Sequence, residues 1–338
     1  MPLMMRAMLL DHPAPVEQRP LLLQSVPCAE PGPEEIRLRV LACGVCHTDL
    51  HTVEGELAAA RLPIIPGHQV IGEVESIGPS VTGWQAGERA GVAWLNWSCG
   101  RCEFCARGEE NLCDRARFTG LSTDGGYAEY LTVNHAYALR LPVSLEAIEG
   151  APLLCAGIIG YRALRMAQVQ PGERVGLFGF GASAHLAIQV ARFWQCEAFV
   201  FTRGEHHRRQ AEALGAAWTG TAEDRPPAQL DRAVIFAPSG ALVPLALERL
   251  RKGGTLAINA IHMSPLPSMP YALLYGERTL RSVANATRRD GQEFLRLAAE
   301  IPIHVDVTEF PLGLANEALA ELKAGRITGA AVLRVQEG

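Results

Sequence analysis

The 338-residue chain is 48% hydrophobic and 20% charged, ordinary proportions for a globular enzyme and enough length for two domains with separate cores. Its formal net charge of −5, with no long run of either sign, argues against nucleic acid or an anionic membrane surface as partner. The opening Met1-Pro2-Leu3-Met4-Met5-Arg6 lacks the basic, apolar, small-residue order of a secretory signal, and no apolar run approaches the roughly 20 residues of a membrane helix, so the cytoplasm is the expected compartment.

From about residue 35 to 140 the chain is rich in Gly, Pro and short β-like runs, at 36–40, 70–75 and 127–133, which predicts a compact β-rich domain. Within it the nine cysteines of the chain are unevenly spread: Cys99, Cys102, Cys105 and Cys113 crowd into one loop. In a chain without an export signal that spacing reads as metal binding rather than disulfides. Four thiolates close a tetrahedral shell around Zn²⁺ with no open corner, so this site is expected to be structural. Cys46, in Gly44-Val45-Cys46-His47-Thr48-Asp49-Leu50-His51, His68, in Pro66-Gly67-His68-Gln69, and Cys155, in Leu154-Cys155-Ala156-Gly157, are further candidates. Two thiolates and an imidazole would leave a fourth corner for water or substrate. Spacing alone does not join them: singly, Cys155 reads as a buried apolar cysteine and His68 as a turn histidine.

After residue 156 short apolar runs alternate with helical stretches. Strands are predicted at 175–178, 198–201, 233–236 and 255–258, with weaker ones near Trp218 and Leu280, and helices at 182–194, 208–214 and 242–250. This alternation predicts an α/β, doubly wound parallel sheet. Its first turn carries Gly179-Phe180-Gly181-Ala182-Ser183-Ala184, a G-x-G-x-x-A between strand and helix, where backbone N–H groups at a helix start can receive a pyrophosphate. The next strand ends on Thr202-Arg203 rather than on a carboxylate. A guanidinium beside a hydroxyl favours NADP(H) and leaves NAD(H) open, with His207 and Arg208 as possible added charge. The tail is expected to hold a helix at 292–299, a strand at 304–307, a helix at 316–323 and a final strand at 331–335.

Taken together, GVCHTDLH, the frame from Pro66 to Gly78, the four-cysteine lobe, the Cys155 segment and the Gly-rich turn resemble the zinc-dependent medium-chain alcohol dehydrogenases, closest to the bacterial zinc and cinnamyl-alcohol-dehydrogenase-like branch. The motifs lie in that family's order across almost the whole chain. The resemblance implies a GroES-like catalytic domain over 1–156 and 287–338, with a Rossmann domain inserted at 157–286. It implies two Zn²⁺ per chain, a catalytic ion on Cys46, His68 and Cys155 and a structural one on the four-cysteine lobe, and a homodimer or homotetramer. Asp49 would orient His68, Thr48 would touch the reacting oxygen, and His51 would end a proton relay to solvent. His47 would meet the cofactor pyrophosphate, and Leu57 and Trp94 would line the substrate pocket, with Leu95 and Trp97 as possible neighbours. The implied reaction moves a hydride between a small primary aliphatic or aromatic alcohol and NAD(P)⁺.

Two departures stand out. Gln69 occupies a position where many relatives carry Glu, and Gly329-Ala330-Ala331 stands where many carry an arginine for the cofactor phosphate, which leaves Arg288 as a candidate substitute. The alternatives are a zinc-free reductase on the same fold, a zinc polyol or formaldehyde dehydrogenase, and a non-catalytic nucleotide-binding protein with one zinc.

Overall fold

The computed structural model describes residues 3–336. Two compact units are present, one of Met1–Cys155, Asn285–Ala299 and Val305–Gly338, the other of Ala156–Ala284 and Glu300–His304. The outermost residues of the expected catalytic domain, at 1 and 338, lie outside the described residues.

The first unit is built on the strand Glu35–Val45, which pairs antiparallel with Gln69–Ile77, Tyr130–Asn134 and Ala330–Arg334. Its side chains alternate as a strand must: Ile36, Leu38, Val40 and Ala42 are fully buried, while Arg37 and Arg39 pair with Glu75 and Glu73 of the neighbouring strand. The sheet continues through Arg89–Val92 and Ala138–Arg140 on one side and Val307–Pro311 on the other. A separate hairpin, Met4–Leu10 with Leu21–Pro27, covers part of the same core.

The second unit holds one parallel sheet in the spatial order Trp218–Gly220, Glu197–Phe201, Arg174–Phe178, Leu230–Ile235, Leu250–Ile258, Thr279–Ser282. Numbered along this unit, that is 3-2-1-4-5-6, the dinucleotide-binding topology in which the chain reverses direction beside its first strand. The central strands are apolar on both faces because helices cover both, and Phe178 stacks on Phe201 at 4.1 Å between ring centroids.

Several boundaries differ from the sequence reading. The expected strand at 304–307 begins instead at Val307. The His304 amide donates to Gln189 Oε1, and its carbonyl accepts from Gln189 and His185, so its backbone is spent on a helix rather than on a ladder. At 127–129 the Tyr127 and Glu129 amides donate to the Pro66 and Arg6 carbonyls, the Glu129 carbonyl accepts from the Val40 amide and Ala128 makes only an isolated bridge to Ala7, so the regular strand starts at Tyr130. One 20-residue helical stretch, Ala147–Met166, does reach the length and mean hydropathy, 1.2, of a membrane span. Its most apolar window is 72% buried inside the protein, as a core helix is, and Cys155 lies within the stretch, partly buried.

Candidate active site

The strand Glu35–Val45 ends at Cys46, and the helix His47–Val53 starts immediately after it. Cys46 caps that helix: its Sγ accepts from the Thr48 amide at 3.3 Å, and Asp49, three residues on, returns Oδ2 to the Cys46 amide at 3.0 Å. Asp49 is thereby turned inward, where it is 2% exposed, and its other oxygen accepts from the Gly67 amide at 3.2 Å and from His68 Nδ1 at 2.9 Å. A carboxylate on Nδ1 fixes the proton there and leaves Nε2 with its lone pair free to bind a cation. The Pro66-Gly67-His68 turn needs its glycine: φ is +96°, and a Cβ there would lie 2.4 Å from the Tyr127 ring.

Cys46 Sγ, His68 Nε2 and Cys155 Sγ all lie within 4.8 Å of one another, with Sγ of Cys46 3.4 Å from Nε2. Among the described residues no fourth Cys, His, Asp or Glu joins the group. The metal-free protonation pattern shows what the set requires. A hydrogen bond from Cys155 holds Cys46 well below the ordinary thiol range, and that same bond, then burial and the Cys46 charge, hold Cys155 well above it. Against a burial penalty, the charges of Asp49 and Cys46 drive His68 well upward. One thiolate, one thiol and an imidazolium thus share a site whose donors would all be in their binding form with a divalent soft cation between them.

The other four cysteines sit on one loop, with their sulfurs within 4.8 Å of one another. The amides of Cys102 and Cys99 donate to Cys99 and Cys113 sulfurs at 3.3 and 3.5 Å, so the backbone itself shapes the cage. The Arg101 amide, then the Arg115 side chain, bring Cys99 down to about 5. Cys102 is pulled down by the Cys105 amide, but burial and the neighbouring thiols carry it up to about 11. Four sulfurs that cannot all ionise alone are matched to a closed Zn²⁺ shell. All nine cysteines are free of disulfides.

Thr48 and His51 follow Cys46 on its helix, Thr48 half-buried and His47 exposed. His51 Nδ1 meets Glu56 Oε2 at 2.5 Å, a partner that the sequence reading did not foresee because it comes from the turn after the helix. Trp94 stands with its ring centroid 6.2 Å from that of His68, stacked on Phe118 at 4.5 Å, and Leu57 is half-buried with its amide bonded to the His51 carbonyl. Leu95 lies in the core, and Trp97 packs against it with Arg117 over its ring. Gln69 is buried, and its side chain lies on Gly44, where a Cβ would come within 2.9 Å of it.

In the second unit Gly179 adopts φ +91°, and a Cβ on it would meet Ala237 at 2.8 Å. Gly181 is the N-cap of the helix Ala182–Phe193 with no side-chain cap, and the space its Cβ would take is open. These are the features a pyrophosphate needs: a tight turn, then bare backbone at a helix start. Ala184 is fully buried, which allows the helix to lie close, whereas Ser183 sits in the first turn with its carbonyl 2.7 Å from where a Gly160 Cβ would be. Thr202 closes the second strand with its amide on the Gly220 carbonyl, and Arg203 beside it is exposed. Burial, then His206, lowers the pKa of His207, so that imidazole does not add the positive charge expected of it near neutral pH.

Arg288 makes its contacts within the first unit. Its backbone amide and Nε both donate to Glu110 Oε1, at 3.1 and 3.2 Å, and its guanidinium lies 4.7 Å from the Tyr137 ring centroid. Glu110 belongs to the four-cysteine lobe, and Tyr137 accepts from the Ser98 amide at 2.8 Å, so Arg288 anchors that lobe. Within Gly329-Ala330-Ala331, Gly329 has φ +76°, and a Cβ there would lie 2.0 Å from the Asp306 carbonyl oxygen, so that position takes no side chain.

Known proteins match this arrangement. Residues 32–143 match the alcohol dehydrogenase GroES-like domain family. The chain is 48% identical over 337 residues to a probable alcohol dehydrogenase, AdhA, of Mycobacterium tuberculosis (strain CDC 1551 / Oshkosh), covering 98% of this chain and 97% of that one. The structure superposes on a cinnamyl alcohol dehydrogenase of Sorghum bicolor with TM-score 0.89, 27% identity and 98% of each chain covered. A cobalt- and zinc-bound thermostable alcohol dehydrogenase of Pyrobaculum aerophilum gives TM-score 0.88 at 27% identity, covering 98% of this chain and 100% of that one.

Proposed function

The chain belongs to the zinc-dependent medium-chain alcohol dehydrogenase family, and from that premise we propose that it interconverts a small primary alcohol and its aldehyde with NADP(H) as preferred hydride carrier and two Zn²⁺ per chain. The observation that carries the proposal is the three-donor group of Cys46, His68 and Cys155, which no fourth Cys, His, Asp or Glu joins among the described residues. Three donors leave a corner for substrate, while the four-cysteine lobe leaves none.

When bound on the three donors, zinc supplies Lewis acidity, and the nicotinamide supplies the hydride acceptor. The rest is the work of side chains. Asp49 holds His68 in the tautomer that presents Nε2, and the capping bond from the Thr48 amide spreads charge from the Cys46 sulfur. The substrate hydroxyl would hydrogen-bond to the Thr48 hydroxyl, which gives up its own proton through a cofactor ribose hydroxyl as it takes the substrate's, and His51, held by Glu56 at the outer side, would release a proton to solvent. Trp94, stacked on Phe118, and Leu57 give the substrate apolar walls suited to an aliphatic or aromatic body. His47, Gly179, Gly181 and the helix start at Ala182 take the cofactor phosphates, and Thr202 with Arg203 takes a 2′-phosphate. The catalytic domain is assigned to 1–156 and 287–338, and the nucleotide domain to 157–286. A homodimer or homotetramer in the cytoplasm completes the reading.

A panel of primary alcohols assayed with NAD⁺ and NADP⁺ tests it. Arg203→Asp is expected to raise KM for NADP⁺ far more than for NAD⁺; equal changes would remove the cofactor assignment.

A further inference from the structure

We propose that Ser98 and Tyr137 are positioning residues for the metal of the four-cysteine lobe, acting through a directed hydrogen-bond chain from the Tyr137 phenol to the Ser98 hydroxyl to the Cys105 sulfur. The inference rests on the reading that this lobe holds a metal ion, and it concerns what stands behind one of the four sulfurs.

The chain is buried: Ser98 is 5% and Tyr137 7% exposed. The Ser98 amide donates to Tyr137 Oη at 2.8 Å, Oη lies 2.7 Å from Ser98 Oγ, and Oγ lies 3.4 Å from Cys105 Sγ. Among the described residues no other hydrogen bond reaches either hydroxyl. The protonation state of Cys105 sets the direction of the chain. A thiol proton on Cys105 competes with Tyr137 for Ser98 Oγ, and a neutral sulfur is a weak acceptor of the Ser98 proton. A thiolate carries no proton and accepts strongly, so the two O–H groups fill the two contacts, Tyr137 donating to Ser98 and Ser98 to sulfur. The cation that makes Cys105 a thiolate thus puts the chain in its strongest arrangement. In return, four thiolates on a divalent ion carry excess negative charge, and a hydroxyl donor on one of them withdraws part of it.

The far end of the chain is held as well. The Arg288 guanidinium lies 4.7 Å from the Tyr137 ring centroid, and Arg288 donates through its amide and Nε to Oε1 of Glu110, which is 5% exposed. A cation kept over the ring fixes the phenol in place. The Ser98 hydroxyl then has a fixed donor behind it and the Cys105 sulfur ahead of it. All five residues belong to the first unit.

Cobalt taken up by Cys46→Ser protein reports on the lobe alone, because the three-donor group has lost a ligand, and the measurement needs no turnover. Adding Ser98→Ala to that protein is expected to move the sulfur-to-cobalt charge-transfer band to lower energy and to weaken zinc binding by the lobe about tenfold, in line with other outer partners of metal ligands. Tyr137→Phe, which leaves Ser98 its proton but removes the group behind it, should move the band in the same direction by less. A third measurement needs no variant to fold: in the unmutated chain loaded with cadmium, the Ser98 hydroxyl proton should show a coupling to the lobe's cadmium nucleus through the hydrogen bond. A role in packing alone would weaken metal binding without moving the band. An unmoved band in the cobalt-loaded Ser98→Ala protein, or no hydroxyl coupling in the cadmium-loaded chain, would overturn the proposal. Failure of Cys46→Ser protein to take up any cobalt would overturn the lobe's metal and this chain together.

Discussion

At the residue scale, the metal site is a problem of holding donors rather than of possessing them. Asp49 touches no sulfur in hydrogen-bond range, yet it accepts from the Cys46 amide, the Gly67 amide and His68 Nδ1, and so fixes the backbone of one ligand and the ring of another. Asp49→Asn keeps the shape but presents an amide that can turn a donor toward Nδ1, which would favour the wrong tautomer. Zinc affinity at this site should fall about 10- to 100-fold, as for other outer partners of metal-bound histidines, with the four-cysteine lobe still loaded; competition with a chromophoric chelator measures both. The sequence identified Asp49 through its motif, but it gave no sign of Glu56, Glu110 or Tyr127. Each of these meets its partner through the fold: Glu56 across a turn, Glu110 with Arg288 a further 178 positions along the chain, and Tyr127 against a glycine that only a left-handed turn explains.

At the scale of elements, two features behave differently under stress. The pair of Arg37 and Glu75 ties adjacent strands of the first unit, and the hydrogen bond from Arg37 holds the Glu75 carboxyl below its ordinary value of 4.5. The folded state then binds fewer protons than the unfolded one just below that pH, so this contribution is complete above it and is lost as pH falls through the depressed pKa. Denaturation followed between pH 6 and 3 should show a shallower acid loss of stability for Glu75→Gln than for wild type. The four-cysteine lobe, by contrast, has only short helical turns, Glu103–Ala106 and Glu110–Leu112, and little core, and its Arg101, Arg107 and Arg115 are exposed. Chelation should open it to trypsin at these arginines while the sheet around Glu35–Val45 stays protected; uncut lobe in metal-free protein would count against a structural ion. This lobe was the most legible element because its four ligands are local. Cys46, His68 and Cys155 were joined only by resemblance, since the strand end, the glycine turn and the buried helical stretch that bring them together are far apart in the chain. The strand expected at 304–307 failed for a related reason: side chains from a distant helix claim the His304 backbone.

At the scale of the whole molecule, the alternation of strands and helices after residue 156 foretold a parallel sheet. The observed order, with the Gly-rich turn on the first strand, is the one that a dinucleotide-binding unit requires. The N-terminal hairpin and the long apolar helical stretch were less visible, because short apolar runs do not declare their period. The proposal rests on two groups of donors in one chain, the four sulfurs of Cys99, Cys102, Cys105 and Cys113 and the trio of Cys46, His68 and Cys155. Elemental analysis of the purified protein and of Cys46→Ser, paired with alcohol-dependent reduction of NADP⁺, tests this directly. The account predicts two zinc ions per chain in the native protein, and one zinc with turnover abolished in Cys46→Ser; a single zinc in the active native protein, or undiminished turnover in the variant, would contradict it.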